Sequence, residues 1–240
     1  MTVDDHLQTP MPNFRKTLLK WYTGNKRKYP WRETDDPFRV LIAEIMLRRT
    51  KADQVEKVYN QLFAHYPTVK DIVNADEEQI ENIVYPLGLT WRSTTFKLLA
   101  MEILNRYGGE VPQTRESLLL LPGTGEYVAG AVLSIAYNKR EWLVDSNVVR
   151  VFRRYFGIST SKEGRRDKRV INMAKKYVSH RNPRDANLAI LDFSAIVCIP
   201  RKPKCIDCPL NTDCHYYRDT DIQERREKDN KEVRNACWTR

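Results

Sequence analysis

Apolar residues recur at spacings of three and four through FRKTLLKWY, QVEKVYNQLFAHY, TTFKLLAMEILNRY and DANLAILDFSAIV, and no segment shows the strict alternation of a half-buried strand. That period restricts the chain to an all-α fold. Gly24, Pro30, Pro37, Pro67, Gly108, Gly109, Pro112, Gly157 and Pro183 fall where helices would end. With 240 residues, 41% of them hydrophobic and 30% charged, the chain can bury a substantial core, and wholesale disorder is excluded. Two lobes are expected.

The excess of 41 Lys and Arg over 31 Asp and Glu gives a net charge of +10, which favours a polyanionic partner. No apolar run approaches the ~20 residues of a membrane helix, and MTVDDHLQTPMP lacks the basic start and apolar core of a signal peptide. The expected location is the cytoplasm. The charge-dense stretch 219–240, which carries an isolated Cys237 and Trp238, reads as a solvated helix or a disordered tail.

In RESLLLLPGTGEYVAGAVLSIAY a short apolar helix runs into Pro122, turns through Gly123, Thr124 and Gly125, and re-enters a helix to about Tyr137. Glycines let a backbone approach a ligand closely, and amides at the start of the second helix are suited to an anion. A nucleic-acid phosphate suits the basic balance, although from the glycines alone a plain tight turn between helices is the favoured reading.

Four of five cysteines crowd into CIPRKPKCIDCPLNTDC, where Cys198, Cys205, Cys208 and Cys214 are separated by six, two and five residues. The segment is too rich in Lys, Arg, Pro and Asp to be core, so the thiols point to metal. Zinc and an iron-sulfur cluster both accept four cysteine ligands. Arg201, Lys202 and Lys204 lie between the first two cysteines and are candidate phosphate contacts.

LPGTGEYVAGA, the following VDSNVVRVFRR and the terminal run of cysteines, in that order, resemble the endonuclease III and adenine-glycosylase branch of the helix-hairpin-helix DNA glycosylases. The likeness covers roughly residues 13–217. PWRETDDPFRVLIAEIMLRRT, DFSAI and CIPRKPKC are most similar to that branch's mismatch-specific thymine glycosylases. The resemblance implies two all-helical lobes: a six-helix barrel with the hairpin over residues 30–139, and a cluster lobe from 1–29 and 140–218. It further implies one 4Fe-4S cluster on the four cysteines, a monomer, and double-stranded DNA with a mismatch bound across the cleft between the lobes.

The same likeness assigns candidate chemistry. Asp145 sits where an N-cap aspartate belongs, and the matching residue in the resembled glycosylases is the essential carboxylate. Breaking a base–sugar bond builds cationic charge on the sugar, which an ionised carboxylate stabilises. Tyr127 stands where endonuclease III-like enzymes carry a lysine, and a phenol cannot form a Schiff base. Glu44 is the one acidic residue in the nearly apolar FRVLIAEIML, so a functional acid and a rim position or structural salt bridge are both open. In the adenine glycosylases the matching Glu protonates the departing purine. Arg48 and Arg49 of RRT stand where adenine glycosylases carry glutamines, and Leu89 of GLTWR where the family inserts a side chain into the duplex.

The expected function is a monofunctional glycosylase that removes thymine, and uracil, opposite guanine. One alternative is an adenine glycosylase acting opposite oxidised guanine. Another, of a different class, is a non-catalytic iron-sulfur protein that binds DNA and senses damage.

Overall fold

The structure, a computed structural model, describes residues 10–88, 91–161 and 163–219; Leu89 and the tail beyond Asp219 lie outside them. Eleven α-helices are formed among the described residues: α1 Pro10–Asn25, α2 Pro37–Met46, α3 Ala52–His65, α4 Val69–Asn74, α5 Glu77–Val84, α6 Trp91–Tyr107, α7 Arg115–Leu119, α8 Glu126–Ala131, α9 Ser146–Phe156, α10 Lys168–Val178 and α11 Pro183–Ile196. No strand occurs among them, as the three-and-four spacing predicts.

Local chemistry sets many of the ends. Asp36 accepts from the amides of Phe38 and Arg39 and Pro37 opens α2, so the first turn begins with its orphan donors satisfied. Thr68 and Asp71 close a capping box on α4, and Asp76 and Thr114 cap α5 and α7. At the other end of α9, Gly157 takes a left-handed conformation with φ of 67°.

Contacts divide the chain into two units, Met1–Lys26 with Val144–Tyr177 and Ala189–Arg240, and Arg27–Leu143 with Val178–Leu188. In the second unit α2 is the central element. Phe38 and every residue from Val40 to Met46 are buried, and the helix packs against α3, α6 and α8. The long α6 covers α4 and α5. Beyond Ala131 the second hairpin helix widens into a π-turn over Val132–Ala136, with Tyr137 N–H donating to the Val132 carbonyl five residues back, instead of running on as a regular helix to Tyr137. The Tyr137 hydroxyl donates to Val111 O at 2.5 Å and ties down that end.

In the first unit Phe14 of α1 is fully buried in an aromatic cluster with Phe152, Tyr155 and Phe156 of α9 and Tyr177 of α10. Trp21 meets Phe193 of α11 edge to face at 5.4 Å. This apolar centre holds α9 rigidly, and α9 carries the residues that matter next. No described helix is long and apolar enough to cross a membrane.

Candidate functional site

Asp145 is the N-cap of α9, in extended conformation and half-buried. Its Oδ1 accepts from the amides of Asn147 at 2.9 Å and Val148 at 2.7 Å, and its Oδ2 accepts from Asn147 Nδ2 at 2.5 Å. Three donors therefore hold the carboxylate in one orientation. The chain of contacts continues. Asn147 Oδ1 accepts from Arg150 at 2.8 Å, and the same guanidinium donates to Cys198 O at 2.9 Å and Ser194 O at 3.0 Å.

One helical turn later Arg154 donates to the carbonyls of Ile199 and Pro200 and lies 3.5 Å from Cys198 Sγ. Two arginines spaced at i and i+4 on one face of α9 thus bind the carboxylate's helix to the start of the cysteine loop. Neither was predicted as a site residue from sequence. Their signal was the RVFRR spacing, which reads equally as a solvated basic face.

All four cysteines line one apolar cavity together with Val151, Phe193 and Leu210. Burial pushes the Cys208 thiol up to about 12, with Cys214, Cys198 and Cys205 adding to it, and raises Cys205 and Cys214 as well. For Cys205, Cys208 and Cys214 burial and neighbouring thiols oppose ionisation together, and a cationic centre among them would offset that cost. The donor set fits a metal-sulfur group. Among the described residues no group of three or more His, Cys, Asp or Glu side chains is gathered to hold a metal ion. Arg201, Lys202 and Lys204 are exposed on the loop, and Lys202 has a φ of 52°, in the left-handed region that a lysine seldom adopts.

In the other unit the hairpin is built from α7, the turn and α8. Its two glycines have different reasons. Gly123 has a φ of 77°, and a Cβ there would come within 2.8 Å of Thr95 Cγ2, so packing alone demands glycine. Gly125, the N-cap of α8, is exposed and extended, and a Cβ would meet nothing within 4 Å. The fold does not require glycine there. Between them Thr124 Oγ1 is buried and makes no hydrogen bond. Tyr127 is half-buried in the first turn of α8.

The hairpin and the RRT turn meet. Arg48 donates to Gly123 O at 3.4 Å across 75 residues of sequence. Arg48 and Arg49 are both exposed, and Arg49 has a φ of 60°. Beneath them Arg92 is completely buried; it donates to the carbonyls of Arg48, Leu87 and Gly88 and to Thr50 Oγ1. One guanidinium thus fixes the RRT turn to the 85–88 turn. Leu89, the predicted wedge, follows directly but lies outside the described residues. Glu44 is 4% exposed within the buried run of α2, which agrees with its apolar setting. Arg115 clamps the hairpin: it donates to the Glu126 and Glu141 carboxylates and to the Trp142 carbonyl, and it lies over the Trp142 ring at 4.2 Å.

Comparison with known proteins gives concordant matches. The model of the HhH-GPD superfamily of base excision DNA repair proteins matches residues 42–176. A thymine/uracil-DNA glycosylase of Methanothermobacter thermautotrophicus is 40% identical over 216 residues, which are 90% of this chain and 98% of that protein. A thymine-DNA glycosylase of Aeropyrum pernix is 37% identical, over 85% of this chain and 93% of its own length. The solved structure of a thermostable thymine-DNA glycosylase superposes with a TM-score of 0.83 at 40% identity, covering 87% of this chain and 97% of that one.

Proposed function

Because this chain belongs to the HhH-GPD superfamily of base excision DNA repair proteins, we propose that it is a DNA N-glycosylase which hydrolyses thymine and uracil from mispairs with guanine. The observation that carries this reading is the fixed carboxylate of Asp145, held by three donors at the head of α9 in a chain 40% identical to a thymine/uracil-DNA glycosylase.

The chemistry follows from the group. A base inside the duplex is out of reach, so the nucleotide is extruded, at least cost where pairing is already weak. As the base departs, cationic charge grows on the sugar, and the Asp145 carboxylate stabilises it with no reorganisation at the moment of reaction. Water then completes the hydrolysis. Tyr127 offers a phenol and no amine, so the enzyme leaves an abasic site and does not cut the strand through an imine. Glu44 is assigned to hydrogen bonding at the pyrimidine edge or to activating the water.

The hairpin backbone at Gly125 receives a phosphate. Arg48, Arg49 and Leu89 fill the space left by the extruded nucleotide and contact the orphaned guanine. Cys198, Cys205, Cys208 and Cys214 are assigned to a 4Fe-4S cluster, which when bound ties the cysteine loop into one rigid unit. Arg201, Lys202 and Lys204 then present their charge to the backbone. The enzyme acts as a monomer on double-stranded DNA.

Purified protein with duplexes containing G:T, G:U or adenine opposite 8-oxoguanine, followed by alkali, tests the substrate. Breaks are expected only after alkali and only in the first two duplexes. Cleavage of the third alone would select an adenine glycosylase, and none at all a binding protein. Borohydride is expected to trap no covalent adduct, and efficient trapping would overturn the monofunctional assignment.

A further inference from the structure

The turn that carries Arg48 and Arg49 is bent in a way its own sequence does not favour. Among the described residues three other than glycine have a positive φ: Arg49 at 60°, Asn138 at 50° and Lys202 at 52°. Asparagine tolerates that left-handed region, whereas arginine seldom adopts it and keeps it only where the surroundings over-determine the backbone. The turn's own bonds are long: Arg48 N–H donates to Ile45 O and Thr50 N–H to Leu47 O, both at 3.3 Å. Further support comes from beneath.

Arg92 supplies it. Its Nη2 donates to Arg48 O and, at 2.9 Å, to Thr50 Oγ1, on the residues either side of Arg49. Its Nη1 donates to Leu87 O at 3.1 Å and Gly88 O at 3.2 Å, on a turn that Gln54 of α3 also grips by donating to Pro86 O. The planar guanidinium thus sets the spacing of two turns at once. Burying a cation is costly, and burial together with the Arg48 charge lowers the Arg92 pKa. An apolar side chain would fill the same space without that cost but could not clamp the backbone around Arg49. Arg48 is braced separately, by its bond to Gly123 O, whereas the backbone of the turn directs the exposed Arg49 side chain.

We propose that Arg92 is a positioning residue for base recognition: it holds Arg49 in the left-handed conformation that presents its guanidinium to the guanine opposite the excised base. Arg92 itself touches no base and acts through Arg49. The identity of the base rests on the glycosylase reading; the clamp on the turn does not.

The test is single-turnover excision of uracil from two duplexes, one with guanine opposite and one with a tetrahydrofuran abasic analogue, which leaves no orphaned base to contact. Arg92→Lys keeps the charge and loses the planar fork, and should lower the guanine-to-analogue rate ratio at least about 5-fold, the discrimination that one good arginine–guanine contact supplies. Thr50→Val keeps the shape and removes one acceptor, and should lower the ratio at least about 2-fold. In both variants the loss appears opposite guanine, and the rate opposite the analogue stays at the wild-type value. Arg49→Ala should lower the ratio as far as Arg92→Lys does, and Arg49→Ala/Thr50→Val should lower it no further.

Equal losses on the two duplexes would give Arg92 a structural role only, and a ratio that falls further in the double variant would separate Arg49 from the clamp; either result overturns the proposal. Should Arg92→Lys fail to fold, Thr50→Val decides, and an unchanged ratio in that variant overturns the proposal as well. Wild type that excises uracil from neither duplex would sink the glycosylase reading instead. The ratio of affinities for the same two duplexes, measured by anisotropy, then judges Arg92 by the same criteria.

Discussion

Replacing Asp145 with Asn separates the two jobs that one carboxylate performs. Asparagine is as good an N-cap as aspartate, so the bonds from the amides of Asn147 and Val148 are retained. What is lost is the 2.5 Å bond between Oδ2 and Asn147 Nδ2, because two amide nitrogens would then face each other. Asn147 cannot simply flip, since its Oδ1 is engaged by Arg150. A hydrogen bond to a charged group contributes about 1.5 kcal/mol, and in a chain of this size that lowers Tm by roughly 3–6 °C.

Catalysis should suffer far more. Removing one group aimed at developing charge costs about 2.7–4 kcal/mol, or roughly 10²- to 10³-fold in rate. The assay is single-turnover release of thymine from a G:T duplex with enzyme in excess, alongside thermal unfolding. Asp145→Ala, which loses cap and charge together, should melt about 1 kcal/mol lower than Asp145→Asn while being equally slow. An Asn variant as fast as wild type, with only the Ala variant impaired, would show that Asp145 merely caps α9, and the catalytic reasoning would be refuted.

Glu44→Gln, which preserves shape in the buried run of α2, should slow excision by roughly 10²-fold while binding of mismatched duplex changes little; full turnover would remove Glu44 from the chemistry. The hairpin glycines should part company. Gly123→Ala meets a φ of 77° and Thr95 at 2.8 Å and should cost at least about 1–2 kcal/mol in denaturant unfolding, whereas Gly125→Ala should cost at most about 1 kcal/mol yet weaken DNA binding in gel shift. Equal effects of the two on stability would refute the distinction. Burial holds the Tyr137 and Tyr155 hydroxyls up at about 12, with Glu110 and Asp36 adding to the first and Asp213 and Cys214 to the second. Their neutral forms therefore contribute stability that is complete below the ordinary tyrosine value of 10 and is lost as pH rises from about 10 through 12. Tm should fall across that window, less steeply in Tyr137→Phe, and a flat profile would contradict the burial.

The helical class, the hairpin, the cysteine cluster and the capping position of Asp145 were all legible in the sequence, because each rests on residues within a few positions of one another. Periodic apolar residues bury one face of a helix, an aspartate before a helix satisfies its first amides, and closely spaced thiols share one loop. The π-turn after Ala131 was not legible, since an extra residue in a helical turn leaves the apolar spacing nearly unchanged. Nor did GTG show that Gly123 answers to Thr95 while Gly125 faces open space.

Tertiary structure alone decided how the local pieces are joined. Arg92 unites the turns at 48–50 and 85–88, Arg150 links Asn147 to Cys198, and Arg184 donates to the carbonyls of Ile135, Arg32 and Thr34. Each is a guanidinium donating to backbone carbonyls far away in sequence. A carbonyl is present at every residue, so the choice among them leaves no trace in side-chain pattern and is made only when packing brings the loops together.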